Sequence, residues 1–239
     1  MQSSAMIQYR TLSDGTQVAL PIRYIDNRCL TATFLTDLER AAHVLEGTGL
    51  QAVPQEEGKA VVLYLCWEYR QTDIGPYNEV ALTILAVAPQ DPAPAIYVAD
   101  LPVTTEAANR AGQELWGYNK FVTDIQIKGE GKHFSAIVRD PQNELISSLE
   151  GTRGVSVPVA PTDIYSFSLL EKKIIKTLVQ VPSPTVVHAS GGEGFRLRVG
   201  DSAHRMAGHL RTLGLDEARP VLVQYADPFQ SLLFPGTAL

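Results

Sequence analysis

The sequence predicts an α+β fold dominated by a large, mostly antiparallel sheet. Three observations carry this: long period-two alternations of apolar residues, turn residues at hairpin spacing between them, and only three segments with helical periodicity. Asp26-Asn27-Arg28-Cys29-Leu30 opens an early strand. Thr36, with Glu39 three residues on, reads as a capping box for a first helix, which Gly47 can end. In the next strand Val61, Leu63, Leu65 and Trp67 alternate with Val62, Tyr64, Cys66 and Glu68. Both sets are largely apolar, so this strand is covered on both faces. Asp73-Ile74-Gly75-Pro76 turns the chain into its antiparallel partner, Tyr77 to Ala86.

The second helix starts at Thr104 or Thr105, with Glu106 complementing its dipole. Ala108, Ala111 and Leu115 form its apolar stripe and Gly117 terminates it. Phe121 to Lys128 then alternates as one strand with a wet face. Turns at Gly129-Glu130-Gly131 and Asp140–Asn143 continue it into His133–Arg139 and Glu144–Leu149, a three-strand meander. Further strands are predicted at Ile164–Leu170, Ile174–Val181, Phe195–Val199 and Val221–Tyr225. The third helix is capped by Asp201, and Ala203, Met206, Leu210 and Leu213 share one of its faces.

With 239 residues, 45% hydrophobic and 19% charged, the chain has ample material for a core. No linker divides it, and residues 1–239 read as a single domain. The net charge of −6 offers no basic footprint for nucleic acid and no attraction to an anionic membrane surface. Met1 to Arg10 lacks the apolar core of a secretory signal, and the longest apolar stretches, Ala60–Trp67 and Val80–Pro89, are too short to cross a bilayer. Two cysteines, Cys29 and Cys66, make no disulfide framework. The expected location is the cytoplasm.

Several chemistries find no support. Gly191-Gly192-Glu193-Gly194 lacks nucleotide-loop spacing and precedes a strand. His204 and His209 lie five apart, roughly 140° around a helix, and do not share a metal. His43, His133 and His188 have no ligand-like neighbours, so no metal site is expected. No G-x-S-x-G elbow is present.

Lys120 stands apart. The chain has thirteen Arg and seven Lys, and six of those lysines sit in polar or turn-like surroundings. Lys120 instead falls where the second helix stops and a buried strand begins, after Leu115-Trp116-Gly117-Tyr118-Asn119. Apolar surroundings disfavour an ammonium ion, and the free amine is the form that attacks carbonyls. The competing reading is a stem lying on Trp116 and Phe121 with its head in water, and spacing alone puts that reading first. Glu79 shares a strand face with Tyr77 and Ala81. It reads as a proton donor or acceptor, or as an edge charge beside the turn. Arg28 can fork onto a carboxylate of substrate, or pair with Asp26.

Three segments together resemble the acetoacetate decarboxylase family. They are Asn27-Arg28 followed by Phe34–Leu38, Gly75-Pro76-Tyr77-Asn78-Glu79, and Gln113-Glu114-Leu115-Trp116-Gly117-Tyr118-Asn119-Lys120. Their order and spacing agree from about Tyr24 to about Glu150. The resemblance implies a cone-like β-barrel with a few outer helices, and a homo-oligomer. It implies a cofactor-independent lyase in which Lys120 forms an imine with a small or medium oxo-acid. That imine would serve either β-keto acid decarboxylation or aldol condensation with dehydration. Glu79 would handle protons and Arg28 would orient the substrate acid, with Tyr64 and Trp116 lining the pocket. The family's second lysine is Phe121 here, its preceding proline is Asn119, and an earlier strand glutamate is Tyr64, a phenol able to donate a proton. The alternative is a barrel that binds a carbonyl-containing or lipid-like molecule without turnover.

Overall fold

The computed structural model describes residues 7–239. Residues 1–6, part of the stretch in which no secretory signal is expected, lie outside the described residues. In chain order the elements are β1 (Gln8–Thr11), β2 (Gln17–Leu20), β3 (Ile22–Asp37), α1 (Leu38–Val44), β4 (Gln51–Ala52), β5 (Lys59–Thr72), β6 (Tyr77–Ala88), β7 (Asp91–Val103) and α2 (Glu106–Trp116). They continue with β8 (Lys120–Val122), β9 (Asp124–Glu130), β10 (His133–Arg139), β11 (Leu145–Thr152), β12 (Val157–Val159), β13 (Ile164–Leu170) and β14 (Lys173–Gln180). The chain finishes with β15 (Val187–Gly191), β16 (Phe195–Val199), α3 (Arg205–Thr212), β17 (Leu222–Leu233) and β18 (Thr237–Ala238).

The architecture follows from strands that are apolar on both sides. A twelve-stranded mixed sheet runs β17-β3-β5-β6-β7-β13-β14, and β14 returns to β17 through Val179 opposite Leu233 and Gln180 opposite Leu232. Hydrogen bonds therefore make a ring, antiparallel throughout except where β7 meets β13. On β5 the even residues Tyr64 and Cys66 face outward. They pack with Phe134 and Leu149 of a four-stranded sheet (β16-β11-β10-β9) and with Met206 and Leu210 of α3. The odd residue Leu65 faces into the ring and joins a second core with Tyr24, Tyr69, Tyr77, Trp116 and Tyr118. Period-two alternation thus gives one strand a role in two cores.

Sequence and structure differ at identifiable places. The capping box at Thr36 does not form. Thr36 Oγ1 donates instead to Leu213 O at 2.6 Å, and Asp37 takes the cap position with its carboxylate bound to Lys59. Asp201 does not cap α3, because His204 stands there and its Nδ1 accepts from Met206 N at 3.1 Å. Phe121–Lys128 is not one strand. β8 pairs with β7 in the large sheet, whereas β9 belongs to the small one, and the chain changes sheets at Thr123, whose N–H binds Val103 O. Arg28 lies in the middle of the 16-residue β3 rather than at a strand start. Among the described residues no helix is long and apolar enough to cross a membrane.

Candidate active site

Lys120 is placed by a parallel crossover. β7 leads through α2 into β8, and β8 lies parallel to β7 with Lys120 opposite Leu101. Thr105 caps the start of α2 by accepting from Ala108 N, and Gly117 ends it in the left-handed region at φ +68. A side chain at residue 117 would also meet the backbone of Leu169 and Leu170, so only glycine fits. The segment that follows is pinned: Gln113 Nε2 donates to Lys120 O at 2.8 Å, and Asn119 Nδ2 donates to Ala99 O at 3.1 Å. The lysine stem then runs inward over Gly112, where any Cβ would overlap its Cδ and Cε.

The amine meets Glu79. Lys120 is 9% exposed and Glu79 6%, and Lys120 Nζ donates to Glu79 Oε2. Glu79 Oε1 accepts from Tyr69 Oη at 3.2 Å. The pairing of β5 with β6 sets this up, since Tyr69 lies opposite Tyr77 and Trp67 opposite Glu79. Tyr69 packs between Tyr24 and Tyr77, with ring centroids 4.7 and 4.6 Å away, and Lys120 Nζ lies 5.5 Å from the Tyr77 centroid. Burial, and after it the negative charge of Glu79, raises the Tyr69 and Tyr77 phenols well above their ordinary range, so both remain donors. On the far wall Tyr118 Oη and Ser166 Oγ share a hydrogen bond of 2.8 Å.

These side chains line a cavity inside the ring, completed by apolar residues such as Leu65, Ile96, Val98 and Leu101. Among the described residues that line it, only Lys120 and Glu79 carry charge. A buried amine beside a single carboxylate in an otherwise apolar chamber can pass one proton back and forth at no change in net charge.

Residues 8–199 match the family model described as acetoacetate decarboxylase. The chain belongs to the acetoacetate decarboxylase family. Solved structures agree in fold. An acetoacetate decarboxylase from Legionella pneumophila superposes with a TM-score of 0.69 at 13% identity, covering 100% of this chain and 92% of that one. An acetoacetate decarboxylase-like enzyme from Sphingomonas wittichii gives 0.68 at 14%, covering 93% and 94%. The enduracididine biosynthesis enzyme MppR complexed with pyruvate gives 0.66 at 12%, covering 92% and 91%. A search of curated protein sequences gives no match.

Within this family member the structure brings together Lys120 and Glu79, and it sends the other three predicted residues elsewhere. Arg28 points to the opposite face of β3, where it binds Asp227 at 3.0 Å and Glu68 at 3.1 Å and packs on Gly129 of β9. With Arg70 also on Asp227, this ion cluster ties the small sheet to the large one and does not line the cavity. Tyr64 is fully buried on the outward face of β5, hydrogen-bonded to Ser147 Oγ at 2.8 Å. The phenol that reaches Glu79 is Tyr69, five residues on, and alternation puts those two on opposite faces. Trp116 lies behind the lysine stem, its indole N–H held by Phe234 O at 2.9 Å. Among the described residues no group of three His, Cys, Asp or Glu is placed to hold a metal. His209 Nδ1 is bound to buried Asp100 at 2.6 Å.

Tyr69 and Gly112 escaped the sequence reading, yet both left signals. The Asp73–Pro76 turn fixes the hairpin register and so sets Tyr69 across from Tyr77. A glycine inside a strong helical pattern marks a close approach.

Proposed function

We propose that this protein is a cofactor-independent lyase in which Lys120 forms an imine with an oxo-acid, and that its best-fitting reaction is decarboxylation of a β-keto acid. The buried Lys120–Glu79 pair in an apolar chamber carries this reading. We read the hydrogen-bonded ring as a cone-like barrel whose interior is the reaction chamber.

The steps balance on the groups present. Glu79 takes a proton from the Lys120 ammonium, and the free amine adds to the keto carbon. Glu79 returns that proton to the carbinolamine hydroxyl, which leaves as water, giving a cationic iminium beside the Glu79 carboxylate. These two charges cancel, so a carboxylate on the substrate is uncompensated in an apolar lining. It leaves as neutral CO2, its bonding electrons passing into the iminium to form an enamine. A proton from water, relayed through Glu79, then adds to the enamine carbon. Hydrolysis of the new iminium releases the ketone and restores the ammonium. Tyr69, donating to the other oxygen of Glu79, keeps that carboxylate turned toward the amine.

A second reading, aldol condensation with dehydration, draws on the same Tyr69–Glu79 contact, which offers an additional proton donor at the reacting end. MppR, similar in fold, has been solved with pyruvate bound. Borohydride reduction in the presence of acetoacetate or pyruvate, followed by intact mass, tests the imine. The expected result is one reduced adduct at Lys120 that is absent in Lys120→Met. Gas release then marks decarboxylation, and a new conjugated chromophore marks condensation. Absence of an adduct with every oxo-acid tried leaves the carbonyl-binding, non-catalytic alternative.

A further inference from the structure

A second cavity adjoins the Lys120 chamber. It shares Trp67, Ile164 and Phe229 with the first, so these three side chains form the partition between them. Its remaining wall combines neutral polar groups, Thr31, Thr162 and Gln224, with apolar ones such as Val181 and Ala226. Among the described residues that line it, none carries a charge. Cys29 also faces it, but burial pushes that thiol up to about 12, so it adds no charge either.

The partition has a structural origin. Trp67 lies opposite Cys29 in the β3–β5 pairing. The register of β17 against β3 shifts on either side of Phe229, and such irregularities re-aim side chains. Asn27 Nδ2 donates to Phe229 O at 3.0 Å, which anchors the residue from the neighbouring strand. Trp67 and Ile164 are only partly buried, and each lines both cavities.

We infer that this second cavity is a subsite for an uncharged, mainly apolar arm of the substrate, an acyl chain or aryl group, whose carbonyl end enters the Lys120 chamber across Trp67, Ile164 and Phe229. The inference rests on the Lys120 imine proposed above. Neutral walls hold such an arm, and they reject a second carboxylate because no cation is there to receive it. Thr31, Thr162 and Gln224 tolerate a hydroxyl or carbonyl along the arm.

The test compares borohydride trapping rates at Lys120 for acetoacetate, 3-oxohexanoate, 3-oxodecanoate and the dicarboxylate 3-oxoadipate. Each buried methylene favours binding by roughly fourfold. The low-concentration trapping rate therefore rises at least about tenfold from acetoacetate to the longer acids, and the dicarboxylate labels no better than acetoacetate. Thr162 sits on an exposed loop, so Thr162→Trp leaves the fold in place and fills the mouth of the cavity. It is expected to lower the ratio of long-chain to short-chain trapping. Equal rates at every chain length, or preference for the dicarboxylate, overturn the subsite while the acetoacetate adduct keeps the imine reading intact. No adduct with any member overturns both.

Discussion

Replacing Gly112 by alanine should separate stability from chemistry in this protein. Gly112 lies on the buried face of α2 with Ala108, Ala111 and Trp116. A methyl group there would overlap Cδ and Cε of Lys120 and stand 3.2 Å from its Cγ. Carbon atoms pack at about 3.5–4.0 Å, so the stem must move by roughly 1 Å. The nearest atoms are all in that stem, and a lysine side chain yields more easily than backbone. A displacement of this size at a reacting group costs about 100-fold in rate, or about 2.7 kcal/mol of barrier. Stability moves less. Alanine is favoured over glycine in a helix interior by about 0.8–1.0 kcal/mol. Overpacking costs about 1–3 kcal/mol. The net loss is at most about 2 kcal/mol, a Tm drop of no more than about 8 °C. Thermal unfolding and the single-turnover rate of borohydride-trapped adduct read the two effects. A Gly112→Ala protein that traps acetoacetate at the wild-type rate would refute the argument that the lysine stem requires this glycine.

Lys120→Met strands Glu79 and should cost about 3–5 kcal/mol, whereas Lys120→Met with Glu79→Leu should recover wild-type stability or exceed it by about 1–4 kcal/mol. Urea titration checks this, and a double variant no more stable than the single one removes the buried-pair explanation. Tyr69→Phe should slow adduct formation about tenfold by freeing the Glu79 carboxylate, and should also cost about 1–3 kcal/mol by leaving buried Glu79 Oε1 without its donor. Tyr64→Phe should cost a similar amount, about 1–3 kcal/mol, by stranding Ser147 Oγ while the trapping rate holds; a slowed rate in Tyr64→Phe with an unchanged rate in Tyr69→Phe would return Tyr64 to the site. At alkaline pH, burial pushes Cys29 up from 9.0 and Tyr118 up from 10.0, each to about 12. The folded chain keeps protons that the unfolded chain has lost, so stability is full below pH 9 and falls as pH rises toward about 12. Urea midpoints across that range should decline together with the appearance of tyrosinate absorbance, and a flat profile would contradict it.

How far the sequence revealed the site depends on the range of the interaction. Lys120 and Glu79 each break a local pattern, a lysine opening a buried strand and a carboxylate on an apolar face. Spacing alone, however, favours a solvated lysine and leaves Glu79 open to an edge position, and the family resemblance brings both forward. The two-faced burial of β5 was legible directly, from apolar residues in both alternating sets. Arg28 and Tyr64 were misplaced because the sidedness of a strand is decided by what covers it, here the small sheet and α3, which come from residues after 124 and after 204. Arg28 finds Asp227 across 199 positions of sequence. The expected cap of α1 failed because Thr36 bonds to Leu213 O instead, and that of α3 because the helix begins only at Arg205, where His204 rather than Asp201 stands at the cap.

The same alternation explains what Phe121 means. In β8 it follows Lys120, so its side chain leaves the chamber and stacks on His204, ring centroids 4.2 Å apart. A lysine at that position could act on the chamber only through the strand, as a charge on its outer side. The chain spends the position on packing α3 against the sheet, next to the Asp100 cluster that holds Arg205 and His209. Among the described residues, one amine and one carboxylate are then the charged groups lining the chamber. In the proposed imine chemistry the protons moved at Lys120 pass through Glu79, with Tyr69 as the neutral donor bonded to it.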